Sequence, residues 1–350
     1  MDKPLATPFI PNTGSVEFSY HKTSNNYIGD SAYRSEFRYA YLNADGWFGY
    51  SMDSKRLLYA NKEILVHHFI ALRSFTQHFI AIPLIVHPGN YYYKDFTGVL
   101  GSYNVFKQSF YKTNFVYGYG RIEDVPEGYS IAFTAGFLKK GNISRPYSGI
   151  DVEVTNFNNK GFHSNYTFRA GGYYYRNRFE DVNLLVNLEH FTRLKRYGTN
   201  WYQRFFLNTG ITAQINPVFN APLFLYSFFG LPYFDNGNIG SDIRYTVKTE
   251  SVFYNTKKIL GFRFAPFIFS DICMLKPTGK SLQKTEIFGA MGGGVRTRNE
   301  NLVFGTIELR CYYFPRTNAN MNDLKISLSS DLKFKYNSSF IKRPDFIMSN

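Results

Sequence analysis

LKISLSSDLKFKYN, residues Leu324–Asn337, reads as two interleaved sequences. One parity carries Leu324, Ile326, Leu328, Ser330, Leu332, Phe334 and Tyr336. The other carries Lys325, Ser327, Ser329, Asp331, Lys333, Lys335 and Asn337. Successive side chains of a strand point to opposite faces, so the stretch has one apolar face and one wholly polar face. At roughly 3.4 Å per residue, about 14 residues extend to roughly 45 Å. Water-soluble sheets usually use strands of about 3–10 residues. A strand tilted by about 45° across an apolar layer of about 25–30 Å needs something near this length. The stretch predicts a strand of a transmembrane antiparallel β-barrel, with one face to lipid and one to the lumen.

The composition of the rest of the chain agrees. Aromatics are 19% of it, with 36 Phe and 29 Tyr against 2 Trp. Two interfacial girdles around a barrel absorb that many rings, and a soluble core does not. The longest apolar run, Phe79–Val86, is interrupted by Pro83 and falls far short of the roughly 18 residues of a spanning helix. Any crossing must then be by closed sheet, because an open edge leaves backbone groups unpaired in hydrocarbon. The net charge of +14 raises nucleic acid as a partner. Lys and Arg are spread singly along alternating strands rather than gathered in a patch. The expected partners are therefore outer-membrane lipids and lipopolysaccharide, with no nucleic acid.

Alternating runs recur about every 20 residues along the 350-residue chain, which gives about 16 strands in one domain. The expected division is a lead-in over 1–15, the barrel over 16–345 and a short tail over 346–350. Val16–His21 and Tyr33–Tyr41 open the series, followed by a turn at Asn43–Gly46 and a return strand at Trp47–Met52. Between Lys62 and Val86 the pattern blurs, and Gly89–Gly101 reads as a Tyr-rich loop. Strands follow at Val105–Tyr111, Asn114–Gly120, Tyr129–Phe137, Ile150–Val154, Asn165–Tyr175, Val182–His190 and Trp201–Gln214. Ala221–Gly240 lacks alternation and reads as a loop or plug-like segment. Ile243–Tyr254, Gly261–Cys273, Ile287–Arg298, Leu302–Phe314 and the opening stretch complete the set. Met1–Thr13 lacks the basic, apolar and cleavage regions of a signal peptide. A secreted barrel needs one, so a fragment or a misplaced start is expected.

Parity assigns Arg244, Lys248, Glu250, Arg263, Asp271, Arg296, Arg298, Glu308 and Arg310, with Asp151 and Glu153, to the lumen. Such residues can line a polar pore or anchor an inward loop, or can simply be the cross-paired polar interior of any barrel. Cys273 shares the parity of Arg263 and Asp271, and Cys311 that of Val303, Ile307 and Leu309, so the two cysteines are expected on opposite faces and unpaired. His67, His68, His78 and His87 lack ligand spacing with carboxylates or cysteines. No metal, cofactor or catalytic residue is expected, since no GxSxG, Walker or dinucleotide loop occurs. Gly292–Gly294, inside a strand pattern, predicts a kink or a close approach.

Three segments resemble the bacterial surface antigen family, the BamA-like outer-membrane insertase superfamily in its Bacteroidetes form. They are Tyr117-Gly-Tyr-Gly-Arg-Ile-Glu-Asp-Val-Pro126, Gly261-Phe-Arg-Phe-Ala-Pro-Phe267 and Gly294-Val-Arg-Thr-Arg-Asn-Glu-Asn-Leu-Val-Phe304, together with the final strand. The resemblance covers about residues 90–345. It implies a 16-stranded barrel in the bacterial outer membrane that inserts or exports other outer-membrane proteins. It also implies that Leu332, Phe334 and Tyr336 form a β-signal read by the assembly machinery, with client proteins as further partners. Two features depart from the family. The sequence before Val16 has no room for POTRA domains, and Asp235–Ser241 reads Asp-Asn-Gly-Asn-Ile-Gly-Ser where the family's Val-Arg-Gly-Phe/Tyr loop should fall. Without that loop arginine, Glu250 is expected to find its partner among Arg244, Lys248, Arg263 and Arg296, and Asp235–Ser241 to be only loosely held. A passive porin and a membrane-embedded lipid enzyme remain the alternative functions.

Overall fold

The computed structural model describes residues 2–3, 11–24, 38–53, 66–82, 93–116, 122–158, 160–219, 222–234, 240–299, 306–317, 321–331 and 342–348. These residues form an all-β protein built on one antiparallel sheet of sixteen strands. In chain order they are β1 Asp2–Lys3, β2 Asn12–Ser24, β3 Arg38–Ser51, β4 His67–Ala81, β5 Phe96–Asn114, β6 Ile122–Lys140, β7 Ile143–Phe157 and β8 His163–Tyr175. There follow β9 Arg178–Phe191, β10 Lys195–Tyr197, β11 Trp201–Ile215, β12 Ser241–Asn255, β13 Phe262–Pro277, β14 Glu286–Asn299, β15 Thr306–Tyr313 and β16 Leu324–Asp331. Each strand pairs with the next in sequence, except that the short β10 flanks β11 while β9 pairs with β11 directly. Some connections of this meander are tight turns. Between β8 and β9, Arg176 and Asn177 both take left-handed φ, 46° and 65°, as a two-residue hairpin matched to strand twist requires.

The sheet is curled, since strands far apart in its order meet over one face. The Arg204 guanidinium of β11 donates to the Asn114 carbonyl of β5 at 2.9 Å. Phe115, just past β5, stacks on Tyr202 with centroids 5.5 Å apart and joins one buried cluster with Phe267, Phe288 and Tyr312 of β13, β14 and β15. Among the described residues no pair joins β16 to β1 or β2.

The two faces are inverted relative to a water-soluble sheet. On the outer face, Phe18 is 78% exposed, Phe137 65%, Ile268 62% and Leu328 73%, and similar side chains follow on nearly every long strand. The inner face holds Arg73, Arg145, Arg204, Arg244 and Asp271, all buried, among apolar clusters. Side-chain alternation alone accounts for this separation.

Several boundaries differ from the sequence expectation. Asn43–Gly46 is not a turn: it continues β3, paired with Ser19–Val16 on one side and Gln77–Ser74 on the other. Asp45 there faces inward and accepts from Arg73 at 2.7 Å, so a turn-like string is overridden by a buried ion pair. Phe96–Gly101, assigned to a loop, belongs to β5. The blurred 62–86 region contains β4. Val105–Tyr111 and Asn114 fall in that same continuous β5, and positions 117–120 of the expected Asn114–Gly120 strand lie outside the described residues. The final strand is described to Asp331, so Leu332, Phe334 and Tyr336 lie outside the described residues, as do positions 302–305 of the expected Leu302–Phe314 strand.

The cysteines stand as parity predicts, Cys273 buried, Cys311 exposed and both free. Cys311 is expected to react with a bilayer-soluble maleimide while Cys273 resists it. A Cys273–Cys311 crosslink under mild oxidation would show that the face assignment is wrong.

Candidate functional site: a charged interior packed by an inward loop

On β12, inward positions carry Arg244, Thr246, Lys248 and Glu250 in succession, with Val252 and Tyr254 beyond them. Register sets what lies beside them. Glu250 stands opposite Phe269 of β13 and Phe269 opposite Gly292 of β14, while one step along Phe267 stands opposite Gly294 and Gly294 opposite Arg310 of β15. Arg296 and Glu308 are direct cross-strand partners.

These positions close a ring of four charges. Arg296 takes both oxygens of Glu250 through its two terminal nitrogens, at 2.6 and 3.0 Å. Its Nε donates to Glu308 at 2.6 Å. Arg310 donates to the other oxygen of Glu308 at 2.8 Å and to Glu250 at 2.6 Å. Both guanidiniums lie over the Phe267 ring, at 4.5 and 4.6 Å from its centroid. Strand spacing puts β12 and β15 roughly 14 Å apart along the sheet, so Glu250 and Arg310 must meet above β14. Gly292 and Gly294 leave that space clear. A Cβ on Gly294 would collide with the Leu309 carbonyl and the Phe267 ring, and one on Gly292 with the Cys311 carbonyl. The close approach read from the glycine run is thus the floor of the charge ring.

The non-alternating segment before β12 folds onto this interior. Leu223, Leu225, Leu231 and Phe234 have no exposed surface, and Phe234 meets Phe288 and Phe314 edge-on at 5.4 and 5.6 Å. Loop carbonyls folded over the interior need donors, and the inner face of β12 supplies three. Arg244 donates to the Phe224 carbonyl at 2.7 Å, Thr246 to that of Phe229 at 2.7 Å and Lys248 to that of Phe228 at 3.1 Å. Leu223 and Ser241 exchange backbone hydrogen bonds. From β16, the Ser327 hydroxyl donates to Tyr233 at 3.1 Å and the Lys325 ammonium sits 4.6 Å from the centre of its ring. A cavity of about 400 Å³ remains below the loop, bounded by Pro232, Phe206, Lys248, Glu250, Asp271 and Arg310.

Of the eleven residues that parity assigns to the lumen, seven converge here. Glu250, Arg296, Glu308 and Arg310 form the ring, Arg244 and Lys248 hold the loop, and Asp271 stands opposite Lys248. Arg263 and Arg298 share the inner face but oppose one another across β13 and β14, outside the ring. Glu250 does pair with Arg296, and with Arg310 rather than with Arg244 or Lys248. The plug-like reading of Ala221–Gly240 holds for 222–234. The loosely held loop falls mostly on 235–239, outside the described residues, while Ser241 is a fully buried member of β12.

Of the other interior ion pairs, parity named only Asp151 and Glu153. Asp45, Arg73, Arg343 and Asp345 form linked ion pairs, and Arg145 pairs with Glu180 and Asp181 at 3.2 and 2.8 Å between the rings of Tyr173 and Phe219. Asp151 pairs with Arg169 at 3.1 Å and Glu153 with Lys342 at 3.7 Å. The signal that could have found the Asp45 pairs is Asp45 itself, a carboxylate that shares its parity with Tyr41 and Trp47 in a stretch whose residue types suggest a turn. Among the described residues, Ser164 contacts His190 at 2.9 Å and Ser19 contacts His21 at 3.0 Å. Among the described residues no carboxylate hydrogen-bonds either ring. No protein-family model matches the chain, and no curated protein matches it significantly.

Proposed function

We propose that this chain is an integral outer-membrane β-barrel that assembles or translocates other outer-membrane proteins, the role implied by its resemblance to the BamA-like family. The observation that carries the reading is the inverted distribution of side chains: an exposed apolar outer face along long consecutive strands, over a charged interior. Contiguous apolar surface of that extent is a membrane or partner interface, and about 25 cal/mol is lost for every Å² of it left in water. Two further features support the specific role. The inward segment 222–234 lies just before Asp235–Ser241, where the resemblance puts the family's lumen loop, although here the basic residues belong to the strands. The interior is also packed by chain segments, which disfavours a passive diffusion channel.

The test reconstitutes the full chain in liposomes with a urea-unfolded outer-membrane barrel as client. Client folding is expected to speed up several-fold over empty liposomes, with no steady open-channel conductance in planar bilayers. Steady conductance without acceleration would replace the reading with that of a porin.

A further inference from the structure

The segment 342–348 follows the last described strand and lies against the inner face of the opposite half of the sheet, where almost every element of it is recognised. Arg73 of β4, itself buried, donates to the Pro344 carbonyl at 3.1 Å and to the Asp345 carboxylate at 2.8 Å. The rest of that guanidinium is clamped by Asp45 of β3 at 3.0 and 2.7 Å. Asp45 also accepts from Arg343 at 3.1 Å, so one carboxylate orients the arginine that reads the acid and holds the residue before the proline. Phe346 enters a box of three rings, 5.7 Å from Phe75 and 4.9 Å from Tyr147, both edge-on, and 5.9 Å from Tyr173.

Ile347 is held by its backbone on both sides. Its N–H donates to the Tyr147 hydroxyl at 2.8 Å and its carbonyl accepts from Asn183 of β9 at 3.0 Å. Its side chain rests on Gly149 of β7 and Gly171 of β8, which are direct cross-strand partners. A Cβ on Gly171 would come within 2.8 Å of the Ile347 side chain, and one on Gly149 within 3.3 Å. Acid, aromatic and aliphatic side chains and three backbone groups are thus read in sequence. Sheet packing alone requires none of this, and it is how extended peptides are usually bound: backbone hydrogen bonds give affinity and side-chain pockets give specificity.

We propose that the inner face of β3–β9 is a recognition site for an extended peptide carrying an acidic–aromatic–aliphatic run, and that residues 342–348 are its resident occupant. The site is filled in cis at high effective concentration, so an external peptide of the same chemistry competes only when the resident segment leaves. Beside it, a cavity of about 360 Å³ is bounded by the segment, by Phe228 and Phe229 of the inward loop and by the polar side chains of Asn104, Ser130 and Arg169. Departure of the segment opens that cavity. This inference goes beyond the proposed insertase role and is read in detergent solution, so it stands or falls apart from it.

The experiment uses the full chain and a dye-labelled synthetic peptide with the sequence of residues 342–348, followed by fluorescence anisotropy. The wild-type chain is expected to bind it at least 10-fold more weakly than the Phe346→Asp chain, whose own segment is expelled from the aromatic box. Adding Arg73→Gln to Phe346→Asp should cost at least 10-fold in peptide affinity, and a peptide carrying Asp in place of its Phe should not bind. A Phe346→Asp chain that keeps heat-modifiable gel mobility yet binds no better than wild type overturns the proposal. A second measurement covers a variant that fails to fold. In a Cys311→Ser background, Ile347→Cys should react slowly with a water-soluble maleimide and at least 10-fold faster once Arg73→Gln is added. Equal rates overturn the proposal as well.

Discussion

Glu250→Ala is expected to destabilise the folded protein strongly. Glu250 accepts three of the ring's five hydrogen bonds, two from Arg296 and one from Arg310. Its removal leaves two guanidiniums sharing Glu308 over the Phe267 ring. The side chains are 14–23% exposed, so water offsets part of the loss. A cost of about 2–4 kcal/mol follows, somewhat below that of stripping one partner from a fully buried pair. The temperature at which the folded gel species converts to the unfolded one should fall accordingly. Combining Glu250→Ala with Arg310→Ala should cost less than the two separately, because each alone leaves the other charge uncompensated. Additive losses would mean the four residues do not act as a ring.

Charge on the outer face should be as damaging by a different mechanism. Phe133 of β6 is 52% exposed on that face, with Ile131 beside it at 43%. Phe133→Arg near a bilayer midplane is expected to cost about 2–4 kcal/mol, and adding Ile131→Arg should abolish assembly into lipid vesicles. Ala132→Ser, one residue away on the inner face, should assemble like the unaltered chain. The measurement is the fraction of protein reaching the heat-modifiable, protease-resistant form. If the double arginine variant assembles as well as Ala132→Ser, the outer face does not meet hydrocarbon and the membrane reading fails.

Legibility follows the range of the physics. Glu250, Asp271, Arg296, Glu308 and Arg310 can be placed inward by counting parity, because alternation is fixed by the covalent geometry of an extended chain and needs no knowledge of neighbours. The same count separates Cys273 from Cys311. The Ala221–Gly240 segment stands out for the converse reason, since a stretch packed by four buried apolar side chains without strand geometry has no period to display. Asn43–Gly46 misleads because its residue types favour turns in isolation, whereas its place in β3 comes from ladder pairing on both sides and from the Asp45–Arg73 ion pair.

Strand pattern, inverted faces and membership of the charged interior therefore follow from local sequence. Which of those residues meet is a matter of the assembled sheet. Glu250 reaches Arg310 across β13 and β14 because register sets Gly292 and Gly294 beneath them and because the sheet is curled. Arg73 and Asp345 are 272 positions apart in the chain, and nothing in the alternation of either segment refers to the other. Periodicity is a property of a few consecutive residues. Register, curvature and the seating of 222–234 and 342–348 are properties of the whole, where each segment goes to the place that satisfies its buried carbonyls, carboxylates and rings at once.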